Sequence, residues 1–193
     1  MDHKCLSLPP PDPLNNATCR NPTNTVASIG DEELNGSWYV VKGWNPIYDC
    51  FDCQVSTFNV QDGQIDYHAL YSFTAVNGTE IWLDAYMKGD DVTDPGELDF
   101  TTKDNGLPDA QNWFVMLLTD DTVVFYYCGN VNLGAWKFEG FIVLSRTKTL
   151  NPDREADISE IMAGLKIDEK DTCLLDPVNK CGGAPETYGL FTQ

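Results

Sequence analysis

From Trp38 to Arg146 the chain is a succession of short runs rich in β-branched and aromatic residues, alternating with polar ones and broken by Gly, Asp and Asn at hairpin spacing. Eight strands are predicted: Ser37 to Gly43, Cys53 to Gln61, Gln64 to Ala75, Thr79 to Lys88, Glu97 to Thr102, Asn112 to Leu118, Thr122 to Gly129 and Trp136 to Arg146. Asp62-Gly63 and Asn77-Gly78 separate pairs of these runs, and both dipeptides suit turns that need a positive φ. Strands joined by hairpins with no helix between them predict an all-β, up-and-down antiparallel barrel, because a parallel sheet would need crossovers. A barrel of eight strands can enclose one small ligand.

The period then changes. Ile158, Ile161, Met162 and Leu165 recur at helical spacing after Asn151-Pro152, a cap followed by a first-turn proline. One C-terminal amphipathic helix is expected to lie on the barrel. Residues 1–30, with Leu8-Pro9-Pro10-Pro11-Asp12-Pro13, read as an extended arm. The expected organisation is an arm over 1–30, a barrel over 31–150, and a helix with a tethered tail over 151–193.

Charge and cysteine content narrow the function classes. With 12 Lys+Arg against 30 Asp+Glu the formal net charge is −18, and such a surface repels phosphates, so nucleic acid is not an expected partner. No run of about 18 apolar residues is present to span a bilayer as a helix, and Met1-Asp2-His3-Lys4-Cys5 lacks the basic and apolar regions of a signal peptide. Seven cysteines point to an oxidising compartment. Zinc is not expected, since Cys50-Phe51-Asp52-Cys53 is the one C-x-x-C and the histidines are His3 and His68 alone. Counting does not settle the pairing, which has about 105 possibilities.

Asn35-Gly36-Ser37-Trp38-Tyr39, Thr119-Asp120-Asp121 and Arg146 resemble the three lipocalin signatures, in which an arginine covers the tryptophan that plugs the barrel floor. A longer series, Pro11-Asp12-Pro13, Asn45-Pro46, Asp49-Cys50-Phe51-Asp52-Cys53-Gln54, Trp113, Phe125-Tyr126-Tyr127, Ser145-Arg146 and Asp171-Thr172-Cys173, resembles the violaxanthin de-epoxidase family over about residues 9 to 175. The resemblance implies a lipocalin-type barrel, the thylakoid lumen, an epoxy-xanthophyll substrate and ascorbate as reductant. It also implies a Cys53 to Cys173 disulfide that ties the tail to the barrel, and it aligns Cys5 with the last cysteine of an N-terminal Cys-rich domain.

The departures from that family carry chemical weight. Two acidic residues precede the family's aligned tryptophan, and one is assigned to protonating the epoxide; here they are Gln111-Asn112, and an amide cannot supply that proton. The family's histidine is Ser56 and its last-strand tyrosine is Leu144. This mixture is similar to the violaxanthin de-epoxidase-like proteins, for which a redox-neutral conversion of violaxanthin into the allenic neoxanthin has been proposed.

Opening a tertiary epoxide needs a proton on oxygen as the C–O bond breaks. Reduction then needs electrons from ascorbate, whereas tautomerisation needs only a base. The candidate catalytic groups are Asp49, Asp52 and Tyr127. Gln54 and Ser56, which alternate onto the same face as Phe58, join Gln111, Trp113 and Phe125 as candidate substrate-binding residues. Three functions follow as expectations: an epoxy-xanthophyll isomerase without a cofactor, a de-epoxidase with ascorbate as co-substrate, and a non-catalytic carotenoid-binding lipocalin. Acidification of a lumen would weaken the repulsion between this surface and anionic lipid, which predicts peripheral thylakoid membrane association at low pH. The sequence is silent on oligomeric state.

Overall fold

A computed structural model describes residues 19–61, 63–91, 96–102, 109–131 and 136–183. Cys5, the proline-rich start of the arm, Asp62 and the last ten residues lie outside them. Eight barrel strands are present: β1 (Gly36–Gly43), β2 (Cys53–Gln61), β3 (Gln64–Thr74), β4 (Glu80–Asp91), β5 (Glu97–Thr102), β6 (Asp109–Leu118), β7 (Thr122–Val131) and β8 (Trp136–Ser145). Each pairs antiparallel with the next, and β1 pairs with both β8 and β2, which closes the barrel. The structure therefore has the expected architecture, with β4, β6 and β7 longer than the sequence pattern suggests.

Period-two alternation divides each wall between two cores. Val123, Phe125 and Tyr127 on β7 join Trp38, Phe58, Trp113 and Leu144 in the barrel interior. Val124, Tyr126 and Cys128 point outward and are covered by helix α2. Numbering the helices in chain order, α1 spans Asp31–Leu34, α2 Glu155–Gly164 and α3 Pro177–Lys180. Asn151 caps a Pro152–Arg154 turn that leads into α2, whose Ile158 and Met162 are buried against the outer face. Burying two such side chains contributes about 2 kcal/mol each, which is enough to seat a ten-residue helix that is too short to hold alone.

The floor is closed from the sequence motif. Trp38 is fully buried and donates its Nε1–H to the Leu34 carbonyl at 2.8 Å, while the Arg146 guanidinium lies 3.6 Å from the ring centre. Arg146 also donates to the Glu33 carbonyl at 3.0 Å, which fixes α1 as a plug. The opposite end is the mouth. There the pairing of β1 with β2 ends at Tyr39, a bulge between Val40 and Lys42 shifts the register of β1 against β8, and the end of β1 pairs with a two-residue strand, β9 (Cys173–Leu174). The tail is thereby bound to the end of β1, and the Cys50–Cys173 disulfide joins it to the loop, residues 44–52, that connects β1 to β2.

The disulfides correct the expected pairing. Cys53 bonds to Cys181 and Cys173 bonds to Cys50, while Cys19 bonds to Cys128. The Cys53 to Cys173 bridge is absent because β9 lies alongside the end of β1, with Cys173 opposite Gly43 and next to Cys50. Cys53 is left facing the short helix α3 and its following turn. The tail is tied to the barrel as expected, but by two bridges instead of one.

Candidate functional site

Beneath the mouth, the barrel interior holds a cavity of about 150 Å³ lined by Asp49, Gln54, Tyr67, Gln111, Trp113 and Tyr127, with Tyr48, Phe51, Tyr71 and Phe138 around it. A cavity of that size accepts one six-membered ring. A wider groove of about 670 Å³ lies outside the barrel between residues 20–24, β6 and α2. It contains none of the candidate site residues, and its acidic groups belong to the solvated face of α2.

Asp49 sits in the β1–β2 loop but is only 1% exposed. Asn45 begins a turn whose carbonyl accepts from the Asp49 N–H at 2.8 Å, and the Asn45 side chain accepts from the Ile47 N–H at 3.0 Å. This turn folds the loop back over β1. Gly43 permits the close approach, since a Cβ there would lie 2.6 Å from the Asp49 Cβ. The Asp49 Oδ2 accepts from the backbone N–H of Asn45 at 2.8 Å, Phe141 at 3.2 Å and Trp44 at 3.3 Å. Its Oδ1 accepts from the Tyr127 hydroxyl. Tyr127 fits for the same kind of reason: its register partner is Gly140, where a Cβ would lie 2.1 Å from the tyrosine ring.

Burial dominates the electrostatics of this pair. Removal from water pushes the Asp49 carboxyl up to about 7, against four hydrogen bonds that favour the ionised form. Burial and the adjacent Asp49 hold the Tyr127 phenol well above its ordinary value. The result is a carboxyl that changes protonation near neutrality inside a closed apolar wall, the condition a general acid requires.

The remaining candidates divide. Gln54 lies on the inner face of β2, and its Oε1 has no hydrogen-bond partner among the described residues. The Gln111 side chain lines the cavity and accepts from the Trp113 indole N–H at 2.9 Å, whereas Asn112 faces outward to Glu97 and Asp99. Trp113 stacks on Tyr127 with ring centres 5.2 Å apart. Ser56 is fully buried and shares a 3.1 Å hydrogen bond with the Tyr67 hydroxyl behind the lining. Phe125 packs beneath, 5.1 Å from Trp113 and 5.6 Å from Phe58. Asp52 is not brought to the cavity: its carboxylate accepts from Thr74 at 2.5 Å on an exposed surface. Tyr67, which burial pushes up to about 12, is a lining residue not read from the sequence. Its alternation with Ile65 and Ala69 on β3 was the available signal.

Around the mouth Ile47, Tyr48, Ile81 and Leu83 remain exposed, the last two on the β3–β4 hairpin opposite Phe73 and Tyr71. No group of three or more metal-ligating side chains occurs among the described residues. No described helix is long and apolar enough to cross a membrane.

Comparison with known proteins adds a sequence family and a fold. Residues 1–177 match the family model described as VDE lipocalin domain. Violaxanthin de-epoxidase, chloroplastic, of Spinacia oleracea is 26% identical over 173 residues, covering 86% of this chain and 35% of that protein. Its Arabidopsis thaliana counterpart is 24% identical over 174 residues, covering 86% and 36%. The chain thus spans about a third of the length of the curated relatives it matches. Among solved structures, Odorant Binding Protein OBP1 superposes with a TM-score of 0.59 at 15% identity, covering 80% of this chain and 97% of that one. Insecticyanin from the tobacco hornworm Manduca sexta gives 0.59 at 16% identity, covering 83% and 87%. Likeness at these identities speaks for the lipocalin fold.

Proposed function

The chain belongs to the violaxanthin de-epoxidase lipocalin-domain family, and from that membership and the buried Asp49 carboxyl we propose that it opens the epoxide of an epoxy-xanthophyll such as violaxanthin and isomerises it to an allene. The observation that carries this reading is that Asp49 is the one carboxyl among the described residues lining the cavity, hydrogen-bonded to Tyr127 and raised to about 7. One proton-exchanging pair suffices for a redox-neutral step. The Asp49–Tyr127 pair delivers a proton to the epoxide oxygen as the bond from oxygen to the polyene-bearing ring carbon breaks, its electrons staying on oxygen as a hydroxyl. The first chain carbon then gives a proton back to the pair, and its C–H electrons form the new double bond of the allene. Nothing is oxidised or reduced overall.

Gln54 is the proposed partner of the ring hydroxyl, its free Oε1 accepting the hydrogen bond. Trp113 and Gln111 form the wall against the ring, and Phe125 and Ser56 hold that wall from behind. The 150 Å³ cavity takes a ring end and not a whole carotenoid, so the polyene leaves through the mouth past Tyr48, Tyr71 and Leu83. The chloroplastic relatives support a chloroplast location, and the three disulfides suit an oxidising lumen within it.

A second reading is favoured by the activity named in the relatives, de-epoxidation; with ascorbate as the proposed co-substrate, ascorbate gives two electrons and the epoxide oxygen departs as water. The experiment is incubation of the protein with violaxanthin and lipid at about pH 5, below the raised Asp49 value, with and without ascorbate, followed by pigment chromatography. Neoxanthin without ascorbate is the expected product, and Asp49→Asn abolishes it. Zeaxanthin formed only with ascorbate would replace the isomerase reading with the reductive one. Unchanged pigment that co-purifies would leave a carotenoid-binding lipocalin.

A further inference from the structure

On the outer face of β8, directly behind Asp49, lies a second buried charge that the proposed chemistry does not use. Glu139 is 3% exposed. It accepts from the Tyr126 hydroxyl at 2.7 Å and pairs with the Arg20 guanidinium at 3.4 Å. Arg20 makes three more contacts: its backbone N–H donates to the Tyr126 oxygen at 2.8 Å, its Nη1 donates to the Leu165 carbonyl at 2.7 Å, and its guanidinium lies 4.5 Å from the Trp44 ring centre. A stacked arginine that also holds a buried carboxylate constrains both partners, which a flexible ammonium would not do.

Both partners lead to the acid. Trp44 and Asn45 are the loop residues whose N–H groups donate to Asp49 Oδ2. The Asn45 side chain in turn donates to the Glu139 main-chain carbonyl at 2.8 Å. We propose that Arg20, with Glu139, is a positioning residue: from outside the barrel it pins Trp44 and β8 together and so holds the Asn45–Asp49 turn closed over the cavity. This rests on the reading of Asp49 as the acid, and it gives the arm a role beyond linkage, because Arg20 follows the Cys19–Cys128 bridge that fixes its place.

A loosened turn admits water to Asp49. The titratable groups facing it are Tyr127 from β7 and Tyr67 from β3, with Tyr48 of its own turn interacting with Tyr127. Tyr127 and Tyr67 are pushed above the ordinary phenol value, so neither charges in the range where Asp49 does. Since burial is the largest cause of the raised Asp49 value, opening the turn returns it toward the ordinary 3.8.

The test is a carboxyl-carbon NMR titration of Asp49 in the full chain, which reads the acid directly and not through turnover. In Arg20→Gln the Asp49 midpoint falls by about one pH unit or more. Arg20→Lys, which keeps the charge but not the stack on Trp44, lies between it and the parent protein. Glu139→Gln, a milder change should Arg20→Gln fail to fold, moves the midpoint the same way. Arg154→Gln, which breaks the unrelated Arg154–Asp121 pair, leaves it in place. Folded Arg20 and Glu139 variants with an unmoved midpoint overturn the proposal, as does an equal shift in Arg154→Gln. If Asp49→Asn retains full pigment conversion, the functional reading fails on its own, while the titration still decides whether Arg20 positions the turn.

Discussion

At the scale of single residues, the site depends on two glycines as much as on its acid. Gly140 lies across from Tyr127 with no space for a methyl group, so Gly140→Ala forces the phenol away from Asp49 and costs about 2 kcal/mol or more of stability by chemical denaturation. Asp49 itself makes stability depend on pH. Its folded value of about 7 exceeds the 3.8 of an unexposed-to-protein carboxyl, so the native state holds the extra proton between those values. The contribution of Asp49 to stability is therefore fully present below 3.8, declines as pH rises and is lost as pH passes through about 7. Asp49→Asn, whose amide can still accept from the backbone and donate to Tyr127, should flatten the melting temperature across that window; a parent-like slope in the variant would contradict the assignment. Little of this was legible in the sequence. Asp49 and Asp52 stand three apart in one loop and read as equivalent, yet one is buried by a turn beginning at Asn45 and the other bonds to Thr74. Which way a loop aspartate points depends on Gly43 and on β8, neither of which local spacing reports.

At the scale of elements, alternation made the strands and their faces readable. Gln54, Ser56 and Phe58 share the inner face of β2, and Trp38 meets Arg146 across the floor as the motif implies. These are local patterns, or pairs with a strong chemical signature. The disulfides are neither. Cys50 and Cys53 are three residues apart, and which one meets Cys173 depends on β9 pairing with the end of β1. Peptide mapping under non-reducing conditions should recover Cys50 linked to Cys173, Cys53 to Cys181 and Cys19 to Cys128. A peptide joining Cys53 to Cys173 would place the tail differently. Removing the Cys50–Cys173 bridge should cost about 2–5 kcal/mol and should disturb ligand binding as well, because the bridge begins at the residue after Asp49.

At the scale of the whole molecule, a net charge of −18 surrounds a mouth rimmed by exposed Ile47, Tyr48, Ile81 and Leu83. Apolar groups at the entrance favour contact with the lipid in which a carotenoid dissolves, and the charge opposes it while the carboxylates are ionised. Sedimentation with anionic vesicles should therefore show more binding near pH 4, where ordinary carboxylates protonate, than near pH 7, with Leu83→Ser weakening it; equal binding at both values would remove the idea. The pairing of the bridges has a further consequence for how such a molecule comes into being. Cys50 and Cys53 wait for partners 123 and 128 positions later in the chain. The strands that wall the cavity are all synthesised before those partners exist, so the acid's loop is fastened last. A chain that has not yet reached Cys173 and Cys181 can therefore hold a closed barrel whose Asp49 loop is still unfastened.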